Sequence, residues 1–166
     1  MKKLTLTIAI IFTCFAGIAQ QNYHSPNLDK FIGTWTFSKD GKEFEIVLRV
    51  ATETIVNQTH TLDVLQGFHI YKLNGKTIDN SEERNEVSLD AGLVQDRTDP
   101  NMVTFVFFDK QKQKSGHVTI IFIPGHPDKI RWMLLNTEGP KFQLKGQPAF
   151  DKTFTVPEYI TLERKN

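Results

Sequence analysis

From Lys42 to Val50 the chain reads KEFEIVLRV. Phe44, Ile46, Leu48 and Val50 alternate with Glu43, Glu45 and Arg49, and a period of two predicts a strand with one dry face and one wet face. MVTFVFF (Met102–Phe108), HVTIIFI (His117–Ile123) and IRWMLL (Ile130–Leu135) predict three strong strands, EYITLERK a last one, and VSLDAGLV a weaker one. FHIYKLNGKTID contains Asn74-Gly75, a hairpin signal because both residues tolerate positive φ. KQKQKSG and PGHPD fit hairpin loops, DPN (Asp99–Asn101) a turn, SEERNE (Ser81–Glu86) a charged loop, and NLDKFIG one helical turn. The Pro- and Gly-interrupted stretch from Gly139 to Val156 reads as irregular, long enough to cover a barrel wall.

Eight to nine short strands without a long amphipathic helix predict an all-β fold. Sequential hairpins favour an antiparallel up-and-down β-barrel over a Greek key, with a β-sandwich as the alternative. A barrel of about eight strands is wide enough to hold one small ligand. The alternation directs Phe44, Ile46, Leu48, Val103, Phe105, Phe107, Ile120, Phe122 and Trp132 inward, and Glu43, Glu45, Arg49 and Arg131 outward.

The first residues change the picture of where this barrel works. MKKLTLTIAIIFTCFAGIAQQ has Lys2 and Lys3, an apolar run, and Gly17 and Ala19 placed for cleavage. This predicts a signal peptide over 1–19, a flexible lead over 20–27 and one β-barrel domain over 28–166, exported to the periplasm or secreted. The alternative is a lipoprotein anchored through Cys14. Cleavage after Ala19 leaves 147 residues without a cysteine, so no disulfide is expected. Loss of Lys2 and Lys3 turns the net charge of +1 into −1, which argues against a nucleic-acid partner. No second apolar run is long enough to span a membrane.

FIGTWTF (Phe31–Phe37) sets a glycine two residues before a tryptophan on the first predicted strand after a helical lead. In this it resembles the lipocalin and calycin superfamily. The resemblance implies that Trp35 closes the barrel floor, that Gly33 leaves room there, and that Arg164 of TLERKN stacks on the indole. The chain departs from that pattern in lacking the superfamily's cysteine pair and a TDY-type loop motif. The layout LDKFIGTW, LNGK, TIIFIPGHPDKIRWMLLNTEG and FTVPEYITLER is also similar to a family of short exported bacterial domains of unknown function. That similarity supports a lipocalin-like β-fold and carries no chemistry.

Candidate chemistry is sparse. His24, His60, His69, His117 and His126 form no metal-binding spacing, so no metal site and no cofactor are expected. His60 with Asp63, and His69 beside a hairpin, are the histidines open to a polar role; a surface or rim histidine is the competing reading. No serine sits in a nucleophile motif, and no catalytic residue is assigned. Aromatics are the enriched class. Phe44, Ile46, Leu48, Phe105, Phe107, Ile120, Phe122 and Trp132 are the candidate pocket lining for a small apolar molecule, with an ordinary packed core as the competing reading. Three functions remain open: a lipocalin-like binder, a non-enzymatic protein-interaction module of the cell envelope, and an enzyme with its site at the barrel mouth.

Overall fold

The computed structural model describes residues 21–55, 60–95, 98–137 and 151–165. The expected signal peptide, Cys14 and most of the expected wall cover lie outside the described residues. Ten strands and one short 3-10 turn make up the described elements. They are β1 (Gln21–Tyr23), the 3-10 turn (Asp29–Phe31), β2 (Gly33–Lys39), β3 (Lys42–Ile55), β4 (His60–Leu73), β5 (Lys76–Asn80), β6 (Leu89–Gln95), β7 (Asp99–Asp109), β8 (Lys114–Ile123), β9 (His126–Asn136) and β10 (Tyr159–Arg164).

The strands follow the order β4-β3-β2-β10-β9-β8-β7-β6, and β6 returns to pair with β4. This is a closed antiparallel barrel of eight strands in an up-and-down meander. β5 folds back on β4, and β1 adds to β4 in parallel. Closure removes the sheet edges and sets β10 beside β2, with Arg164 opposite Trp35. Two hairpins turn through paired left-handed residues, Asn74-Gly75 and Asp40-Gly41, with φ between 51° and 77°. Such turns match the strand twist.

Phe44, Ile46, Leu48, Val103, Phe105, Phe107, Ile120 and Trp132 are buried, and Phe122 is half-buried against them. Glu43, Arg49 and Arg131 are exposed and Glu45 is half-buried. The register is therefore the one that the alternation predicts. Full burial of each large apolar side chain contributes roughly 1.5–3 kcal/mol, so a one-residue slip of β3 would forfeit several such terms and bury carboxylates instead.

Two local expectations are corrected. Val50 continues the inward alternation in sequence yet is exposed. β2 begins at Gly33 opposite Leu48, so Val50 lies on an arm of β3 paired only with β4 and has no wall across from it. The DPN stretch starts β7 instead of forming a separate turn. Pro100 is tolerated there because it lies at the strand's first residues, where a missing N–H costs little. Within the expected lead, Gln21–Tyr23 forms β1 beside His60–Leu62, and Asn22 bonds to Asp63 and Thr61.

Candidate functional site

One end of the barrel is shut by the 3-10 turn that precedes β2. Leu28 and Phe31 at the 3-10 turn are buried beneath the strands. Trp35, on β2, is fully buried and its indole N–H donates to the Phe31 carbonyl at 2.9 Å. Arg164, on β10, lies over the indole with its guanidinium carbon 4.1 Å from the ring centroid. The same guanidinium donates to the carbonyls of Ile32 at 2.7 Å and Lys30 at 2.5 Å. Gly33 has φ +121°, and a Cβ there would stand 3.1 Å from an Arg164 terminal nitrogen. Glycine therefore answers two demands at that position, backbone and space. The structure thus brings Gly33, Trp35 and Arg164 into one cluster.

Beside this cluster is an open cleft of about 610 Å³, within the range of small-molecule sites. Its apolar wall is Phe122 and Ile123 of β8, the Pro124-Gly125 turn, and Pro127 at the start of β9. The β8–β9 ladder shifts register between Phe122 and Ile123, and such a bulge re-aims side chains at a barrel rim. Phe122 thereby faces two ways. Its ring contacts Phe31 at 4.9 Å and Trp35 edge-on at 5.7 Å, and it also lines the cleft. The polar wall is Lys30, Asn101, His126 and Arg164. Lys30 Nζ donates to Asn101 Oδ1 at 2.9 Å and sits 5.8 Å from the Phe122 centroid. None of the lining residues is acidic.

The other sequence-predicted lining residues lie in the barrel interior, away from this cleft. Phe44 meets Trp132 edge-on at 5.1 Å, and Phe107 meets Trp132 at 6.0 Å and Phe154 at 6.1 Å. Phe44, Ile46, Leu48, Phe105, Phe107, Ile120 and Trp132 are at most 2% exposed, so side chains fill the lumen around them. Trp132 completes its bonding by donating to the Pro157 carbonyl at 2.9 Å.

His69 is not a rim residue. It points inward from β4 opposite Ile46 and is 1% exposed. Its Nδ1 is 2.8 Å from Ser88 Oγ and its Nε2 is 3.0 Å from Asp79 Oδ2. Arg84 binds the other Asp79 oxygen at 2.6 Å. Burial pushes the Asp79 carboxyl upward, but the hydrogen bonds and charges of His69 and Arg84 outweigh it and hold the carboxyl well below its usual range.

The order serine–histidine–aspartate matches that of a hydrolytic triad, yet the Ser88 hydroxyl is buried and engaged. Ser81 donates to it at 3.1 Å, and it donates to the Gly67 carbonyl at 3.4 Å. The cluster lies where β4 changes partner from β5 to β6. Ser81 and Ser88 there satisfy backbone groups of Gly67 and His69 that no strand reaches. Its work is to seal a seam. Sequence reading missed it because Ser81–Glu86 carries the composition of a solvated loop.

His60 and Asp63 are three apart on β4, which directs them to opposite faces of the strand. Asp63 instead receives Thr52 at 2.7 Å and lies 2.8 Å from His24 Nδ1, tying the lead to the β3–β4 arm. Among the described residues no group of His, Cys, Asp or Glu is arranged to hold a metal ion, and no helix is long and apolar enough to cross a membrane.

A family model described as a family of unknown function, DUF6705, matches residues 1–165. No curated protein and no solved structure matches the chain.

Proposed function

The chain belongs to the DUF6705 family of unknown function, and we propose that it is an exported, lipocalin-like binding protein that takes a small, mainly apolar molecule. The site of this reading is the cleft at the closed end, beside Phe122 and Ile123. The observation that carries it is a contrast: Phe44, Ile46, Leu48, Phe105, Phe107, Ile120 and Trp132 in the barrel interior are at most 2% exposed, whereas the cleft offers about 610 Å³ with apolar walls and convergent polar groups.

Titration with the neutral apolar dye N-phenyl-1-naphthylamine tests it. Ile123→Trp, which fills the cleft, abolishes binding with the thermal melt unchanged. Ile120→Val, in the lumen, leaves binding intact. Full binding by Ile123→Trp contradicts the site. Native mass spectrometry of protein purified from its own envelope then identifies what co-purifies. Export is tested by N-terminal sequencing, which finds Gln20 first on this reading; a lipid-modified Cys14 overturns it.

A second reading, an interaction module of the envelope, is favoured by one observation. Val106, Phe108 and Leu135 are 44–50% exposed on the outer wall of β7 and β9, with His117 of β8 between Val106 and Leu135. Sedimentation velocity of the wild type against Phe108→Lys tests whether that wall associates.

A further inference from the structure

The cleft at the closed end has a charge asymmetry that the fold does not use up. Lys30 and Arg164 both border it, and neither forms an ion pair with a carboxylate among the described residues. The side-chain partner of Lys30 is the neutral amide oxygen of Asn101. Arg164 directs two N–H groups at backbone carbonyls, out of the five a guanidinium carries. Elsewhere on this barrel most cations at this degree of exposure are paired: Lys112 with Asp151, Lys129 with Glu163, and Arg84 with Asp79 and Glu86. The closed end is therefore a place where positive charge stands unbalanced against an apolar wall.

Lys30 also lies within 5.7–5.8 Å of the Phe31 and Phe122 centroids. Its ammonium is thus held at the border between the apolar wall and the polar side of the cleft. A ligand whose body covers Phe122, Ile123 and Pro124 would bring its end group to that ammonium.

Given the reading of this cleft as the binding site, we propose that its ligand is an amphipathic anion, an apolar chain or ring carrying one carboxylate or phosphate group. The apolar part lies on Phe122, Ile123, Pro124 and Pro127. The anionic group binds Lys30 in the field of Arg164. A neutral molecule of the same shape gains the apolar contact alone, and a cationic one meets uncompensated like charge. A charge-assisted hydrogen bond in a partly desolvated site corresponds to about tenfold in affinity or more.

Three ligands of one chain length separate the possibilities: dodecanoate, dodecanol and dodecylamine, each used to displace N-phenyl-1-naphthylamine at a fixed concentration below micelle formation. Dodecyl phosphate distinguishes the two anionic head groups. The expected order is dodecanoate or dodecyl phosphate about tenfold tighter than dodecanol, with dodecylamine weakest. Raised salt narrows that gap. Lys30→Met brings the anions to within about twofold of dodecanol and leaves dodecanol unchanged, with the thermal melt as the check on folding. Arg164 is left intact because it also holds the barrel floor. Equal affinity for dodecanoate and dodecanol, or tighter binding of dodecylamine, overturns the anion assignment while the cleft stands as a binding site. Displacement by none of them removes the binding reading itself, and the anion assignment with it.

Discussion

Replacing Arg164 with Met keeps most of the stem and removes the guanidinium. Two kinds of contact are lost. Stacking on the Trp35 indole, with the guanidinium carbon 4.1 Å from the centroid, contributes about 0.5–2 kcal/mol. The bonds to the Ile32 and Lys30 carbonyls contribute about 0.5–1.5 kcal/mol each, at the lower end where water can replace the donor. The expected loss is therefore about 1.5–5 kcal/mol, a large share of the 5–15 kcal/mol typical of a domain. That exceeds what stacking alone supplies, because Arg164 also fastens the 3-10 turn to the barrel. Trp35→Phe removes the indole donor to the Phe31 carbonyl and part of a buried ring, at about 2–3 kcal/mol. Since the two side chains touch, the double variant loses less than the sum, by about 0.5–1.5 kcal/mol. Urea unfolding of the four proteins, with equal m-values as the two-state check, measures the cycle. Losses that add to within about 0.3 kcal/mol, or a loss below about 0.5 kcal/mol for Arg164→Met, would refute the account of the barrel floor.

Gly33→Ala costs about 1–3 kcal/mol from its backbone conformation, with the crowded Arg164 nitrogen on top. Gly125→Ala, also at positive φ but with open space around it, costs less in the same urea assay, and equal losses would contradict the close approach. His24 titrates above its ordinary 6.5 because Asp63 accepts its hydrogen bond. The stability this adds is fully present below pH 6.5 and disappears as pH rises through the raised value. In Asp63→Asn an NMR titration finds His24 shifted down toward 6.5, and an unchanged curve would exclude Asp63 as the cause. Asp79→Asn costs about 2–4 kcal/mol, because the buried His69 loses its carboxylate partner and Arg84 keeps only Glu86. Because the folded-state carboxyl is depressed, its contribution is present above the ordinary value of 3.8 and lost as pH falls below it. A denaturation midpoint that stays level between pH 5 and pH 2 would rule this out.

The strands and their facing were open to sequence reading because β3, β7, β8 and β9 obey a period of two, and because the barrel interior places apolar side chains at most inward positions of those strands. Trp35 with Arg164 was open only through the resemblance to the lipocalin and calycin superfamily, which implied the pair, and the barrel supplies its physical basis. Closure of a meander forces the first and last strands together, so two residues far apart in sequence become partners. The His69–Ser88–Asp79 cluster was not open, since it depends on β4 exchanging β5 for β6 along its length. The cleft was only half open. Phe122 carries a strand signal, but Lys30, Asn101 and His126 come from three separate segments that only the closed barrel assembles. Val50 obeys the pattern and defies its meaning, because periodicity says nothing about where the facing wall stops.

Backbone amide shifts in a two-dimensional ¹H–¹⁵N spectrum, recorded as dodecanoate is added, test most directly where the barrel binds. Closed-end binding moves the amides of Lys30, Asn101, Ile123, Gly125 and His126 in a saturable, concentration-dependent way and leaves Ile46, Phe107 and Trp132 in place. Saturable shifts confined to Ile46, Phe107 and Trp132, with the closed-end amides unmoved, would contradict the account and assign the ligand to the lumen.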